Sequence, residues 1–162
     1  MLTREKLNDA DWSVIRDTPH LVIVGISSTG GSAMDEMLEH SAGMKSIVDG
    51  MNSTHPLVRE IAVGLNIMQA QKSVQSWYHS LADVDRKPAS LQEKALDSMK
   101  KAVGVLRAHG GPDDLPQYSD FVRSLAMRVA RAAKEGDVLG VGGELVSTHE
   151  REFLERLEAL VN

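Results

Sequence analysis

The stretch Gly25-Ile26-Ser27-Ser28-Thr29-Gly30-Gly31-Ser32 carries the strongest chemical suggestion in the chain, because it follows an apolar run, precedes a helical pattern and copies the glycine spacing of a phosphate-binding P-loop. A P-loop cradles phosphates in its backbone amides, neutralises them with a lysine and holds magnesium through a hydroxyl. Gly31 stands where that lysine belongs, and no later strand ending in a magnesium-binding aspartate is visible. What remains is an anion-binding expectation for Ser28, Thr29, Gly30, Gly31 and Ser32 at the start of the next helix, where unpaired amides favour negative charge. The competing expectation is a turn that only ends a helix. The same residues fall one glycine short of the serine hydrolase elbow, and the parallel sheet that would lift such a serine is missing. Ser27 is therefore expected in the last turn of a helix.

Metal chemistry finds little support. His20, His40, His55, His79, His109 and His149 are scattered, with no pair three or four residues apart. Glu36 and His40 share a helix face, but a carboxylate bundle needs glutamate and histidine three apart, twice over. His149-Glu150 opens a zinc protease motif whose second histidine is replaced by Phe153. Glu144 and Glu150 invite comparison with a calcium loop, yet Leu139 and Val141 occupy places where oxygen ligands belong. With no cysteine in the chain, disulfides, thiolate metal sites and thiol catalysis are excluded. No catalytic residue, no metal and no cofactor is expected. Arg123, Arg128, Arg131 and Lys134 could meet an anion or an acidic partner, but they read as the solvated face of an amphipathic helix.

These residues sit on elements whose spacing is helical nearly throughout. Trp12 and Ile15 mark a short helix over 11–17, and Thr18-Pro19 reads as the cap and first position of a second, through Leu21 to Ile26. Met34, Met37, Leu38 and Met44 continue the pattern over 33–48. Pro56 begins the strongest stripe, Leu57, Val58, Ile61, Ala62, Leu65 and Met68, in a long helix reaching Leu81. Ser90 and Glu93 stand at capping-box spacing before Leu91, Ala95, Met99, Ala102, Val103 and Leu106, and Gly110, Gly111 and Pro112 end that helix. The next starts near Asp114 to Pro116, carries Val122, Leu125, Ala126 and Val129, and stops at Gly136. An apolar glycine-rich loop over 136–146 follows, and Ser147 with Glu150 opens a last helix facing inward through Phe153, Leu154, Leu157, Leu160 and Val161.

The residues Gly136 to Glu150, and more loosely Thr18 to Ile26 and the final helix, resemble an uncharacterised family of small all-helical bacterial proteins. Its members end in a phenylalanine-leucine-glycine-phenylalanine-glycine-glycine loop, then a valine-serine pair opening an amphipathic helix. Here the loop reads Val138-Leu139-Gly140-Val141-Gly142-Gly143, with valines at both aromatic positions. The resemblance implies a helical fold and carries over no activity and no site residue.

The expectation is one all-α domain over residues 1–162, a compact bundle of six or seven helices with the long 56–81 helix central and the glycine-rich loop before the last helix. A 162-residue chain with 42% hydrophobic and 25% charged residues can bury such a core. Net charge of -5 and only six aromatic residues besides histidine disfavour nucleic acid as a partner. No apolar run approaches the roughly 20 residues of a membrane span, and no signal peptide is evident, so a cytoplasmic protein is expected. The leading functional expectation is a non-catalytic interaction or scaffold protein that binds another protein or itself, as a homodimer. Its rivals are an anion- or nucleotide-binding protein using the turn 25–32, and a protein holding a small apolar ligand among Met34, Met37, Met44, Met51 and Met68.

Overall fold

The computed structural model describes residues 1–28, 33–66, 72, 76, 79–135 and 148–161, with the side chains of 33–34 and 133–135 left aside. Among them are six α-helices and no strand: α1 (Asp9–Ser27), α2 (Ala33–Gly50), α3 (Pro56–Asn66), α4 (Pro88–His109), α5 (Asp114–Glu135) and α6 (Thr148–Ala159), preceded by a single 3-10 turn, Arg4–Lys6. The all-α bundle expected from the apolar stripes is the fold. One hydrophobic cluster joins Ile15, Val22, Ile23 and Ile26 of α1 to Leu57, Ile61 and Leu65 of α3, Met99 and Val103 of α4, Val122 and Val129 of α5, and Phe153 of α6. The helices therefore share one core, and burial of these stripes is the main favourable term in holding them together.

Helix α1 corrects the expected break at Thr18-Pro19. Asn8 caps it, its side-chain oxygen accepting the Asp11 N–H at 2.8 Å, and the helix runs on through Pro19 to Ser27. Proline has no N–H, so the carbonyl of Ile15 loses its usual partner four residues on. The hydroxyl of Tyr118, fully buried on α5, donates to that carbonyl at 3.0 Å. Just before the proline, Thr18 Oγ1 donates to Val14 O at 2.7 Å and lies 2.7 Å from Ser98 Oγ on α4. Three helices are thus tied together at the position that the local sequence marks as a helix start.

Only the first part of the helix expected to be central can be placed among its neighbours. α1 lies along α4 and touches α2, α3 and α5, while α2 lies along α5. α3 is described only to Asn66; Lys72, Ser76, His79 and Ser80 are helical, and the other residues of the expected long helix before Leu81 lie outside those described. Two close approaches depend on glycine. A Cβ on Gly43 would stand 2.6 Å from Ile23 Cγ1, and one on Gly50 would stand 2.7 Å from the Phe121 ring, so α2 meets α1 and α5 with backbone against side chain.

Two expected helix ends hold and one changes. Gly110 follows α4 and Asp114 opens α5. α4 begins earlier than the expected capping box, at Pro88, with Ser90 Oγ donating to Val84 O at 3.1 Å and Glu93 engaged by Arg156, so neither residue caps. Ser147, Gly136 and the glycine-rich loop lie outside the described residues.

Candidate functional site: an apolar cleft beside α5

The first turns of α5 are built from buried polar groups. Asp114 is 1% exposed, and its Oδ2 accepts the backbone N–H groups of Leu2 at 2.7 Å and Gly111 at 2.6 Å. Its Oδ1 stands 3.5 Å from His55 Nε2, just ahead of α3. These bonds hold the 1–7 segment, with buried Leu2 and Leu7, across the ends of α3 and α5, and the Arg4 N–H adds a bond to Glu60 Oε2 at 2.9 Å. This group fastens the chain, and neither of the two clefts described below is lined by it.

Further along, α5 is flanked by two clefts. Between α5 and α6 lies one of about 220 Å³, lined by Met99 from α4, Val122 and Met127 from α5, and Leu154, Leu157 and Val161 on or just after α6. The last three recur at helical spacing, so one face of α6 and its end supplies a whole wall. Ser119 also reaches the cleft, but its hydroxyl donates to Leu115 O at 2.7 Å, which leaves the wall with little free hydrogen-bonding capacity. At the rim, Arg123 stands 3.6 Å from Glu158 and 3.4 Å from Asp120. Such long, half-exposed pairs contribute little stability and give way to an incoming group at small cost. The second cleft, about 290 Å³ between α2 and α5, is more polar: Ser46, Ser53, Gln117 and Ser124 surround Phe121, and Arg128 pairs with Asp49 across it at 2.5 Å.

The residues that sequence reasoning singled out are distributed differently. Ser28 closes α1, its N–H donating to Val24 O and its hydroxyl to Gly25 O at 3.0 Å, while Thr29, Gly30, Gly31 and Ser32 lie outside the described residues. Ser27 is in the last turn of α1, as expected. Of the five methionines expected to line a pocket, Met37 is 60% exposed, Met44 and Met51 pack against the core, and Met34 and Met68 are not described; the cleft uses Met99 and Met127 instead. Nothing local marks those two, which come together only because α4, α5 and α6 converge. Of the expected basic stripe, Arg123 and Arg128 pair with carboxylates, Arg131 is exposed and the Lys134 side chain is not described. Glu36 and His40 are both exposed, and no group of three or more metal-ligating side chains converges among the described residues.

Two titratable side chains depart from their ordinary behaviour. Burial, together with the facing charge of His40, pushes the His20 imidazole down to about 4, against a smaller opposing pull from Asp17. Burial raises the Tyr118 hydroxyl far above its ordinary range, so it remains a hydrogen-bond donor to Ile15 at any pH compatible with folding. No described helix is long and apolar enough to cross a membrane. No family model, no curated protein and no solved structure matches the chain.

Proposed function

We propose that this is a non-catalytic interaction protein whose α5–α6 cleft receives one apolar side chain of a protein partner. The observation that carries the reading is the cleft itself: a lining mostly of valine, leucine and methionine, with the half-exposed Arg123 and Glu158 as its charged members. An apolar anchor in a pocket surrounded by polar groups is the usual anatomy of an energetically dominant contact between proteins. Size supports the same occupant, since a cavity of about 150 Å³ holds benzene and most ligand pockets run from roughly 300 to 1,000 Å³. A cleft of 220 Å³ suits a leucine or phenylalanine side chain better than a cofactor. Arg123 and Glu158 offer both signs of charge to the polar flanks of such an anchor. The flexible thioether of Met127 also favours a second reading, a small free apolar ligand in the same place.

Native mass spectrometry of the wild-type protein and of a Val161→Trp variant, each purified gently from its own cells, tests the reading. A protein partner retained by the wild type and lost from the cleft-filled variant is the expected result, and a second copy behaving in that way would identify the partner as the chain itself. A small molecule retained in place of a protein would transfer the site to the second reading. A partner held equally by both forms, or saturable turnover of a common metabolite, would overturn the proposal.

A further inference from the structure

A different part of the molecule carries an inference of its own. Where α2 crosses α1, two histidines face each other from opposite helices, with ring centroids 5.8 Å apart and planes tilted by 58°. His20 is 4% exposed, and its Nδ1 is buried without a hydrogen-bond partner, whereas His40 is exposed. Next to them the Ile23 side chain fills the space that a Gly43 Cβ would occupy, so the two helices are too close to admit water without moving apart.

We propose that His20 and His40 form an acid-sensitive latch: protonation of buried His20 beside His40 separates the N-terminal half of α2 from α1 while the rest of the bundle stays closed.

A proton on His20 requires either water or a counter-charge, and among the described residues its buried Nδ1 has no hydrogen-bond partner and only Asp17 pulls in its favour. From α2 the facing charge is His40, which repels an imidazolium, and Glu39, buried one residue before it, has an interaction of its own. From its own helix the nearest carboxylate is Asp17, already held by both Arg16 Nε at 2.6 Å and Arg16 Nη2 at 2.9 Å. α4, packed along α1, meets it through Ser98 and Ala95, which carry no charge, and its Lys94 is paired with Asp85. Opening the crossing hydrates the buried His20 ring and removes the conflict. The opening stops partway along α2 because its second half is fastened elsewhere, by buried Ile47, by Gly50 against Phe121 and by the Asp49–Arg128 pair on α5.

The sign follows from linkage. The imidazole ordinarily titrates near 6.5 and is held down to about 4 in the closed form, so the closed crossing is fully favoured above pH 6.5 and loses its advantage as pH falls toward 4. Between pH 7.5 and pH 5 the local opening equilibrium should rise about 30-fold. Hydrogen exchange resolved along the chain, expressed as protection factors, measures this directly. Residues 35–43 should lose about 30-fold in protection over that range while α4 and α5 keep theirs. In His20→Leu the change should vanish. In His40→Gln, which folds without disturbing a buried side chain, the loss should level off at a higher pH and be smaller, because one repulsive neighbour has gone. Unchanged protection over 35–43 at pH 5, a loss shared equally by all helices, or the same pH dependence in either variant would overturn the latch.

Discussion

The first turns of α5 and its later turns are held by opposite means. At its start, Asp114 and Tyr118 reach into the core and bond to backbone atoms far away in sequence, at Leu2 and Ile15. Farther on, α5 meets α6 through Leu157 and its neighbours around an unfilled cleft, and the polar links nearby are exposed ion pairs such as Arg156–Glu93 and Arg123–Glu158. A buried polar bond has one satisfactory geometry and penalises every other, because a donor left without an acceptor is costly. Apolar contact and surface charge tolerate many geometries. The contrast teaches where the molecule can accept something new: at the cleft and not at the knot.

The sharpest way to break this contrast is Asp114→Ala, which strands the N–H groups of Leu2 and Gly111. It should cost about 3 kcal/mol, and on a chain of this size lower Tm by roughly 6–12 °C in a thermal melt. Asp114→Asn, which keeps one acceptor oxygen, should lose less. Next comes Tyr118→Phe, which preserves the ring and removes only the donor to Ile15 O; chemical denaturation should show a loss of about 1–2 kcal/mol. On the other side of the comparison, Val161→Leu adds volume where space exists, and the same denaturation experiment should find a change within about 1 kcal/mol, in the stabilising direction. The smallest effect belongs to Arg156→Ala. Its guanidinium and Glu93 are both more than half exposed, and although their contact pulls the Glu93 carboxyl below its ordinary range, removing the pair should change stability by less than about 0.5 kcal/mol, with most of that effect gone in high salt. A large loss from Arg156→Ala, or a negligible one from Asp114→Ala, would erase the distinction between the two regions.

Much of the architecture was legible because an apolar stripe at helical spacing has few other uses. Leu57, Ile61 and Leu65, or Val122, Leu125 and Val129, announce a buried helix face before any neighbour is known, and all six are in the core. Local rules failed where distant residues took over their role. Thr18-Pro19 looks like a helix start until Tyr118 supplies the missing partner, and Ser90 and Glu93 look like a capping pair until Val84 and Arg156 claim them. The cleft was illegible for the same reason. Met99, Met127 and Leu154 belong to three helices, and only tertiary packing brings them around one space. His20 stood in the sequence as one of six scattered histidines, with nothing to indicate that His40 would face it across a helix crossing.

The proline in α1 has a consequence in time as well as in space. A helix built from local bonds can form in about a microsecond, before distant parts of the chain have met. The carbonyl of Ile15 is served by a hydroxyl 103 residues away, so that one bond of α1 can close only once α5 has docked. Tyr118→Phe should therefore slow the docking of α5 onto α1 in a stopped-flow refolding measurement as well as weaken its product.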